Sequence, residues 1–496
     1  MFKFMLNEAS RLANAIILGK DRITDDEYIT REIRHFQLSK KRKEMLDGEK
    51  YYCGQHDILS RKRTVIGEGG TLQEVTNLPN NRIVDNQYKK MVDQKNNYLV
   101  GQPFTIQTEN EAYANELKQI FNKKFHRLLK SVGEDSLNGG IGWIYPYYNE
   151  KGEFCFKRIR PFELIPGWRD AEHTELDYAI RIYDVIVCDK KQEKVVQKIE
   201  VYDDKGISFF EASDTGSLTP VEPYFQNYFT ITNGEGIETG YNWTKIPLIP
   251  FKRNSKEIPL LNTVKSLQDG LNLIESNFQN AMEEDTRNTI LVLVNYDGQN
   301  LGEFRRNLAQ YGAVKVKTVD GAGGDLKSLQ VEVNSENYKA ILEIFKKAII
   351  ENAMGYDAKD DRLNGTPNEM NIQSMYSDID LDANGTETEY QAAFEELLWF
   401  INCHLSNIGK GDFEGEEVDI IFNRDMLISE SSIIDNINKS AGILSNETLV
   451  AQHPWVDNVD EELERIEKEK AEAVEQFGNA FVPGEGQTEE AEEDEE

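Results

Sequence analysis

The stretch TILVLVNYDGQN, Thr289–Asn300, decides how the chain is read. Ile290–Val294 is a run of branched aliphatic residues that predicts a strand, and Asp297-Gly298 is a tight-turn dipeptide. Before it, Leu260, Val264, Leu267, Leu271, Ile274 and Phe278 recur every three or four residues, the period of an amphipathic helix. After it, a short helix is expected over Leu301–Gln310, followed by the β-rich stretches GAVKVKTVDGAGG and SLQVEV. Ser335 is then a good N-cap for a second long helix, ending at Gly355. Its expected apolar face is Tyr338, Ile341, Phe345 and Ala348, with Lys339, Lys346 and Lys347 together on another face. A small β-containing insertion therefore separates two long helices.

Working outward, residues 25–60 read as charged helices. In NNRIVDNQYKKMVDQKNNYLVGQP, residues 80–103, Val84, Tyr88, Met91 and Tyr98 keep helical spacing, with Lys89, Lys90, Asp93 and Lys95 between them. Gly101 and Pro103 stop that helix. A further helix is expected over Glu109–Leu129, and another starting near Lys130. From Gly140 to Pro250 strand patterns dominate, with turn signals at Asn149–Gly152 and Lys205-Gly206, and they predict one sheet. Pro250 and Pro259 mark its edge. Beyond the second long helix, the polar loop YDAKDDRLNGTPNE leads into a long helix from Met370 to Leu405. VDIIFNRDM is expected as a strand and residues 430–475 as helices. The fold class is α+β, in several domains.

Charge and composition narrow the function. The 496 residues carry 56 basic and 88 acidic side chains, a formal charge of −32. Glu461–Glu496 holds 15 acids against 3 bases, and residues 476–496 read as a disordered acidic tail. Such a balance excludes tight non-specific DNA binding, which needs Lys and Arg on phosphates. Four scattered cysteines with no CxxC pair argue for free thiols rather than a disulfide framework or a zinc site. No run of 18 apolar residues could span a membrane.

No engine of catalysis is legible. The glycine clusters at 67–70, 234–240 and 321–324 lack the Lys-Ser/Thr ending of a phosphate-binding loop, and there is no GxSxG or HExxH. His35, His56, His126, His173, His404 and His453 stand singly and read as ordinary core or surface residues. DIDLDANGTETE, Asp378–Glu389, has carboxylates where a calcium loop would place them. Ala383, however, replaces the glycine of the sharp turn, and the flanking apolar residues favour a helix running through. Two alternatives stay open beside a structural role: an acidic hydrolase with paired carboxylates, and a calcium-dependent binding protein. No catalytic residue, metal ligand or cofactor is assigned.

The order of parts resembles the phage portal family of siphophages infecting Gram-positive bacteria. So do NNRIVDNQYKKMVDQKNNYLVGQPF (80–104), IPLIPFKRN (246–254), LVLVNYDGQNLGEF (291–304), LWFINCHLSNIGKGDF (398–413) and PWVDNVDEELERIEKE (454–469). The resemblance implies a portal fold assembled into a ring with a central channel, of about twelve subunits, or about thirteen in isolation. It implies a wing (1–258), stem helices (259–285 and 335–355), a clip (286–334), a tunnel loop (356–369), a helix returning to the wing (370–429) and a crown (430–475). Double-stranded DNA would pass through. Terminase, major capsid and scaffolding proteins and a head-completion adaptor would be the partners, in the virion at a capsid vertex, with no membrane. Assembly would take place in the host cytoplasm, and the ring would carry no ATPase of its own. Lys339, Lys346, Lys347, Asp360, Asp361, Arg362, Asn364, Gly365 and Pro367 become channel and loop candidates. Asn295, Tyr296, Asp297, Gly298, Arg305 and Arg306 become docking candidates on the clip. The tunnel loop here is more charged than the glycine-rich loops of relatives.

Overall fold

The computed structural model describes residues 25–66, 70–76, 78–189, 192–212, 217–232, 236–285, 290–294, 325–329, 335–357, 369–424 and 434–470, the last stretch without 435–436, 454, 457–458 and 460–461. The chain divides into two units, 1–357 with 377–425, and 358–376 with 426–496. Among the described residues the helices include, in order, α1 (Asp25–Leu38), α2 (Lys40–Tyr52), α3 (Gln87–Val100), α4 (Glu111–Ile120), α5 (Lys123–Gly139), α6 (Leu261–Asp285), α7 (Ser335–Asn352), α8 (Glu369–Asn407) and α9 (Asn446–Ala451). In the second unit α9 is short and capped by the Ser445 side chain, which accepts from the Thr448 N–H.

The expected helix over Glu109–Leu129 is two helices. Asn122 accepts from the N–H groups of Lys124 and Phe125, so its side chain caps α5 and ends the continuity. The expected single sheet is also several. Ile141–Tyr148 (β1) pairs with Phe154–Ile159 (β2) and with Ile249–Lys252 (β3), all antiparallel. A 3-10 turn at Pro161–Glu163 then redirects the chain into a separate five-stranded meander over residues 164–226. Phe229–Thr232 and Glu238–Tyr241 form a further ribbon. Pro250 lies inside β3, an edge strand, where a missing N–H is tolerated.

Ile290–Val294 is a strand, as its composition predicts, and pairs antiparallel with Asp325–Leu329. That partner overlaps SLQVEV only at Ser328 and Leu329. The Asp297-Gly298 turn and the Leu301–Gln310 helix lie outside the described residues. The two long helices α6 and α7 run antiparallel: Phe278 meets Tyr338 with ring centroids 4.8 Å apart. Nearer the other end, a Cβ on Gly270 would stand 2.5 Å from the Phe345 ring, so glycine there sets how closely the helices approach. α7 ends at Asn352 rather than at Gly355. Its expected apolar face is rotated: Ile349 is buried, with Leu342 and Phe345 packed against the same core, while Ile341 is 40% exposed. α8 is unbroken through Asp378–Glu389, so the calcium-loop spacing sits on a helix. Among the described residues no group of His, Cys, Asp or Glu is arranged to hold a metal.

Two cores hold the first unit. One joins α2, α3, α6 and α7 through Tyr51, Tyr88, Met91, Val264, Leu271 and Ile349. The other clusters aromatic rings around α8, where Phe394 meets Phe104 at 5.1 Å, Phe251 at 5.7 Å and Phe121 at 5.7 Å, mostly edge to face.

A polar seam ties α6 to the segment before α3. Gln268, Asn272, Ser276 and Asn280 recur every four residues and are between 0 and 1% exposed. Residues 81–86 belong to no helix or strand. Their N–H groups need other acceptors. Asn280 Oδ1 accepts from the Asn81 N–H at 2.7 Å, Ser276 Oγ from Ile83 at 2.9 Å, and Asn272 Oδ1 from Asp85 at 3.1 Å. Gln268 accepts from the Tyr88 N–H at 2.9 Å and donates to the Asp85 carbonyl at 2.7 Å. The periods match, because four helical residues rise ~6.0 Å and two extended residues ~6.6 Å. Asn272 Nδ2 also donates to Nδ1 of His56, whose Nε2 donates to the Tyr51 carbonyl. His56 is thus a satisfied core histidine, and burial lowers its pKa.

Replacing Asn272 with alanine takes the acceptor from the half-buried Asp85 N–H and leaves His56 without its donor. Urea unfolding of Asn272→Ala is expected to show a loss of about 2–3 kcal/mol, from buried groups left unsatisfied. The exposed Asn262→Ala on the same helix should stay within about 0.5 kcal/mol of the parent. Equal stability of the two variants would show that the seam contributes nothing.

Candidate functional site

The sequence points to the α6–α7 pair and the loop that follows it. The lysines of α7 separate there. Lys346 is half-buried and turned inward: its Nζ lies 2.7 Å from Asp85 Oδ2 and 3.7 Å from Glu275 Oε1. It braces α7 to α6 and to the segment before α3 at once. Lys339 is exposed, and Lys347 is exposed with only a loose contact to Glu351 at 3.9 Å, one turn on. Lys339 and Lys347 share a stripe with Glu336 and Glu343 at i, i+3, i+7 and i+11 spacing. Ile341, Ile344 and Ala348 form a neighbouring stripe, with Ile344 64% exposed.

The Asp85–Glu275–Lys346 cluster has uneven protonation. Burial pushes both carboxyls up. At Asp85 the close Lys346 ammonium outweighs burial and holds the group below the ordinary carboxylate range. At Glu275 burial, then repulsion from Asp85, outweighs the more distant lysine and lifts the carboxyl to about 7. Glu275 therefore keeps its proton to higher pH than Asp85 does, beside a Lys346 that stays charged.

The root of the loop after α7 is held by α3. Lys95, which the helical pattern placed among solvent-facing residues, is buried. Its Nζ donates to the Met354 carbonyl at 2.9 Å and to Asp382 Oδ2 of α8 at 2.8 Å. Burial brings its pKa down to about 8 against the pull of Asp382. Met354 has a left-handed φ of 53°, which this grip holds in place. Gln94 pairs with both backbone groups of Tyr356, at 2.9 and 3.1 Å. Asp382 also meets Arg253 at 3.4 Å, and Asp380 meets Arg424 at 2.5 Å, so the acids of Asp378–Glu389 serve α8 as ion-pair partners.

Asp360, Asp361, Arg362, Asn364, Gly365 and Pro367 lie outside the described residues, as do Asn295, Tyr296, Asp297, Gly298, Arg305 and Arg306. Sequence reasoning missed Asp85, Glu275, Lys95 and Gln94. The seam had one signal, a polar residue every four positions on α6.

A sequence-family profile described as "Phage portal protein, SPP1 Gp6-like" matches residues 33–476. The chain belongs to this phage portal family. The portal protein of Bacillus phage SPP1 is 29% identical over 456 residues, covering 91% of this chain and 88% of the relative. The portal protein of Clostridium phage phiCD119 is 28% identical over 449 residues, covering 87% and 94%. Among solved structures, a chain of the neck of an empty gene transfer agent particle matches 72% of this chain and 87% of its own, at 13% identity and a TM-score of 0.36. A match that loose supports no functional argument. No helix among the described residues is long and apolar enough to cross a membrane.

The raised Glu275 carboxyl sets a sign. Between its unfolded value of 4.5 and about 7 the folded chain holds a proton that the unfolded chain releases, so this group makes stability fall as pH rises through that window. Chemical denaturation at pH 5 and pH 8 should show that fall in the parent and a smaller one in Glu275→Gln. An unchanged pH slope in the variant would remove Glu275 as the source of the fall.

Proposed function

We propose that this portal chain forms a closed ring around a DNA channel at one capsid vertex, through which DNA enters during packaging and leaves at ejection. The observation that carries this reading is the family match over residues 33–476. The antiparallel α6–α7 pair agrees with it as a tall wall carrying a β pair at its far end. In this reading residues 259–285 and 335–355 are the stem, 286–334 the clip, 356–369 the tunnel loop, 1–258 the wing, 370–429 the return to it and 430–475 the crown. The clip offers strands to neighbouring subunits and a docking rim to the packaging motor and later to head-completion proteins. The chain has no motor of its own, so a separate ATPase drives the DNA.

The wall's chemistry follows from DNA's charge. A strongly basic lumen would grip phosphates and add friction, whereas mixed charge guides without holding. The stripe of Glu336, Lys339, Glu343 and Lys347 on α7 offers that mixture, and we assign it to the lumen. The stripe of Ile341, Ile344 and Ala348 then faces the next subunit. Lys346 acts as an internal brace instead of a lumen contact, because its charge is committed to Asp85 and Glu275.

End-view electron microscopy of the purified chain, with shell and scaffolding proteins added if required, should show rings of about twelve subunits with a central hole. Chains that stay monomeric under all these conditions would overturn the ring. Particles carrying Lys339→Glu with Lys347→Glu should assemble normally yet differ in packaged DNA content. Normal DNA content would remove both lysines from the channel.

A further inference from the structure

A groove of about 1000 Å³ opens on the first unit between α8, the loop after it and the ribbon 229–241. One wall is aromatic and apolar, built from Phe229, Trp243, Leu398 and Trp399. The other is acidic. Glu395, Asp412, Glu414, Glu416, Glu417 and Asp419 line it, and the lining includes no Lys or Arg. All six acids are exposed. Among the described residues none of them has a cationic partner within 4 Å; Glu416 only accepts from Asn110 at 3.1 Å. On α8, by contrast, Asp380, Asp382 and Glu387 are paired with Arg424, Lys95 and Arg253. What sets the groove acids apart is that six of them line one wall beside an aromatic one.

Two observations point to what belongs there. The ring of Trp399 already takes a cation of the chain itself: Lys245 Nζ, which does not line the groove, stands 5.2 Å from its centre. Trp243, at 4% exposure, lines the groove, and its indole Nε1 has no acceptor among the described residues. The wall therefore suits a ligand that brings cations, apolar surface and backbone carbonyls together. Nucleic acid fails the first condition, since its phosphates would meet six carboxylates.

We propose that this groove docks a basic amphipathic segment of a partner protein, with Lys or Arg on one face meeting Glu395, Asp412, Glu414, Glu416, Glu417 and Asp419. Its aliphatic or aromatic face rests on Trp243, Leu398 and Trp399. The apolar and indole contacts supply affinity, while the unpaired acids supply orientation and speed of encounter. This surface is separate from the channel wall, and its role holds whether or not the ring reading does.

The test uses the full chain and a fluorescein-labelled synthetic peptide of about 18 residues, with Leu and Phe on one helical face and Lys and Arg on the other. The control peptide carries Glu in place of every base. Anisotropy titration at low and high salt is run on three proteins: the parent, Glu414→Gln/Glu416→Gln/Glu417→Gln, and Glu111→Gln/Glu150→Gln/Glu193→Gln. The last removes the same charge from exposed positions outside the groove, which separates site binding from the general attraction of an acidic protein. The groove variant should raise Kd about tenfold or more, and the remote variant less than about twofold. Trp399→Ala should weaken binding at high salt, where charge is screened. Equal weakening by both triple variants, or equal binding of the Glu peptide, would overturn the proposal. So would a groove variant that changes subunit assembly in light scattering but leaves peptide binding alone, which would assign the face to a second copy of the chain.

Discussion

Everything around the α6–α7 pair depends on one constraint: a half-buried segment of backbone lies beside a helix with no strand to pair with. The N–H groups of Asn81, Ile83 and Asp85 would each cost about 1–3 kcal/mol if shielded from water and left unsatisfied. The chain meets this with side chains instead of a sheet, through Gln268, Asn272, Ser276 and Asn280. Once that segment is fixed, Asp85 is placed to pair with Lys346, and α3 begins in register with α6. α3 then delivers Gln94 and Lys95 to the end of α7 and the start of the loop beyond it. The seam is thus upstream of both the helical pair and the loop's root.

The two ends of α7 are held differently. Toward its start it meets α6 through rings, Tyr338 on Phe278 and Phe345 on Gly270. Toward its end the apolar contacts of Ile349 and Ile350 are joined by polar and charged ones, through Lys346, Met354 and Tyr356. Ring contacts tolerate small shifts, whereas a buried ion network depends on geometry and on protonation. With the Glu275 carboxyl raised by burial, the charge balance at this part of the pair depends on pH.

Much of this was legible in the sequence because periodicity survives tertiary context when helices are long. α6, α8 and the strand Ile290–Val294 fell where their patterns placed them. The family, too, was legible, in short stretches spread along the whole chain. What failed was local ambiguity and long-range pairing. Asn122 inside an apolar period looked like a helical residue, but its side chain caps and so ends the run. Lys95 sits on a helix whose other lysines face water, and only Asp382, 287 residues away, explains its burial. The polar seam resembled a solvated helix face, since nothing in α6 reveals that its acceptors meet a segment 187 to 199 residues earlier. The split of the β region turned on Pro161–Glu163, a redirecting turn that pattern reading passes over.

The seam also has a mechanical meaning. An apolar contact between a helix and its neighbour can creep, because dispersion has no preferred notch. A row of amide and hydroxyl acceptors spaced four residues apart can re-form only after the helix advances by a whole period, ~6 Å along its axis. Any smaller displacement breaks the row together and gains nothing in return. The segment 81–88 and α6 therefore behave as a toothed joint: stiff to small axial loads, and able to give way only in a discrete jump.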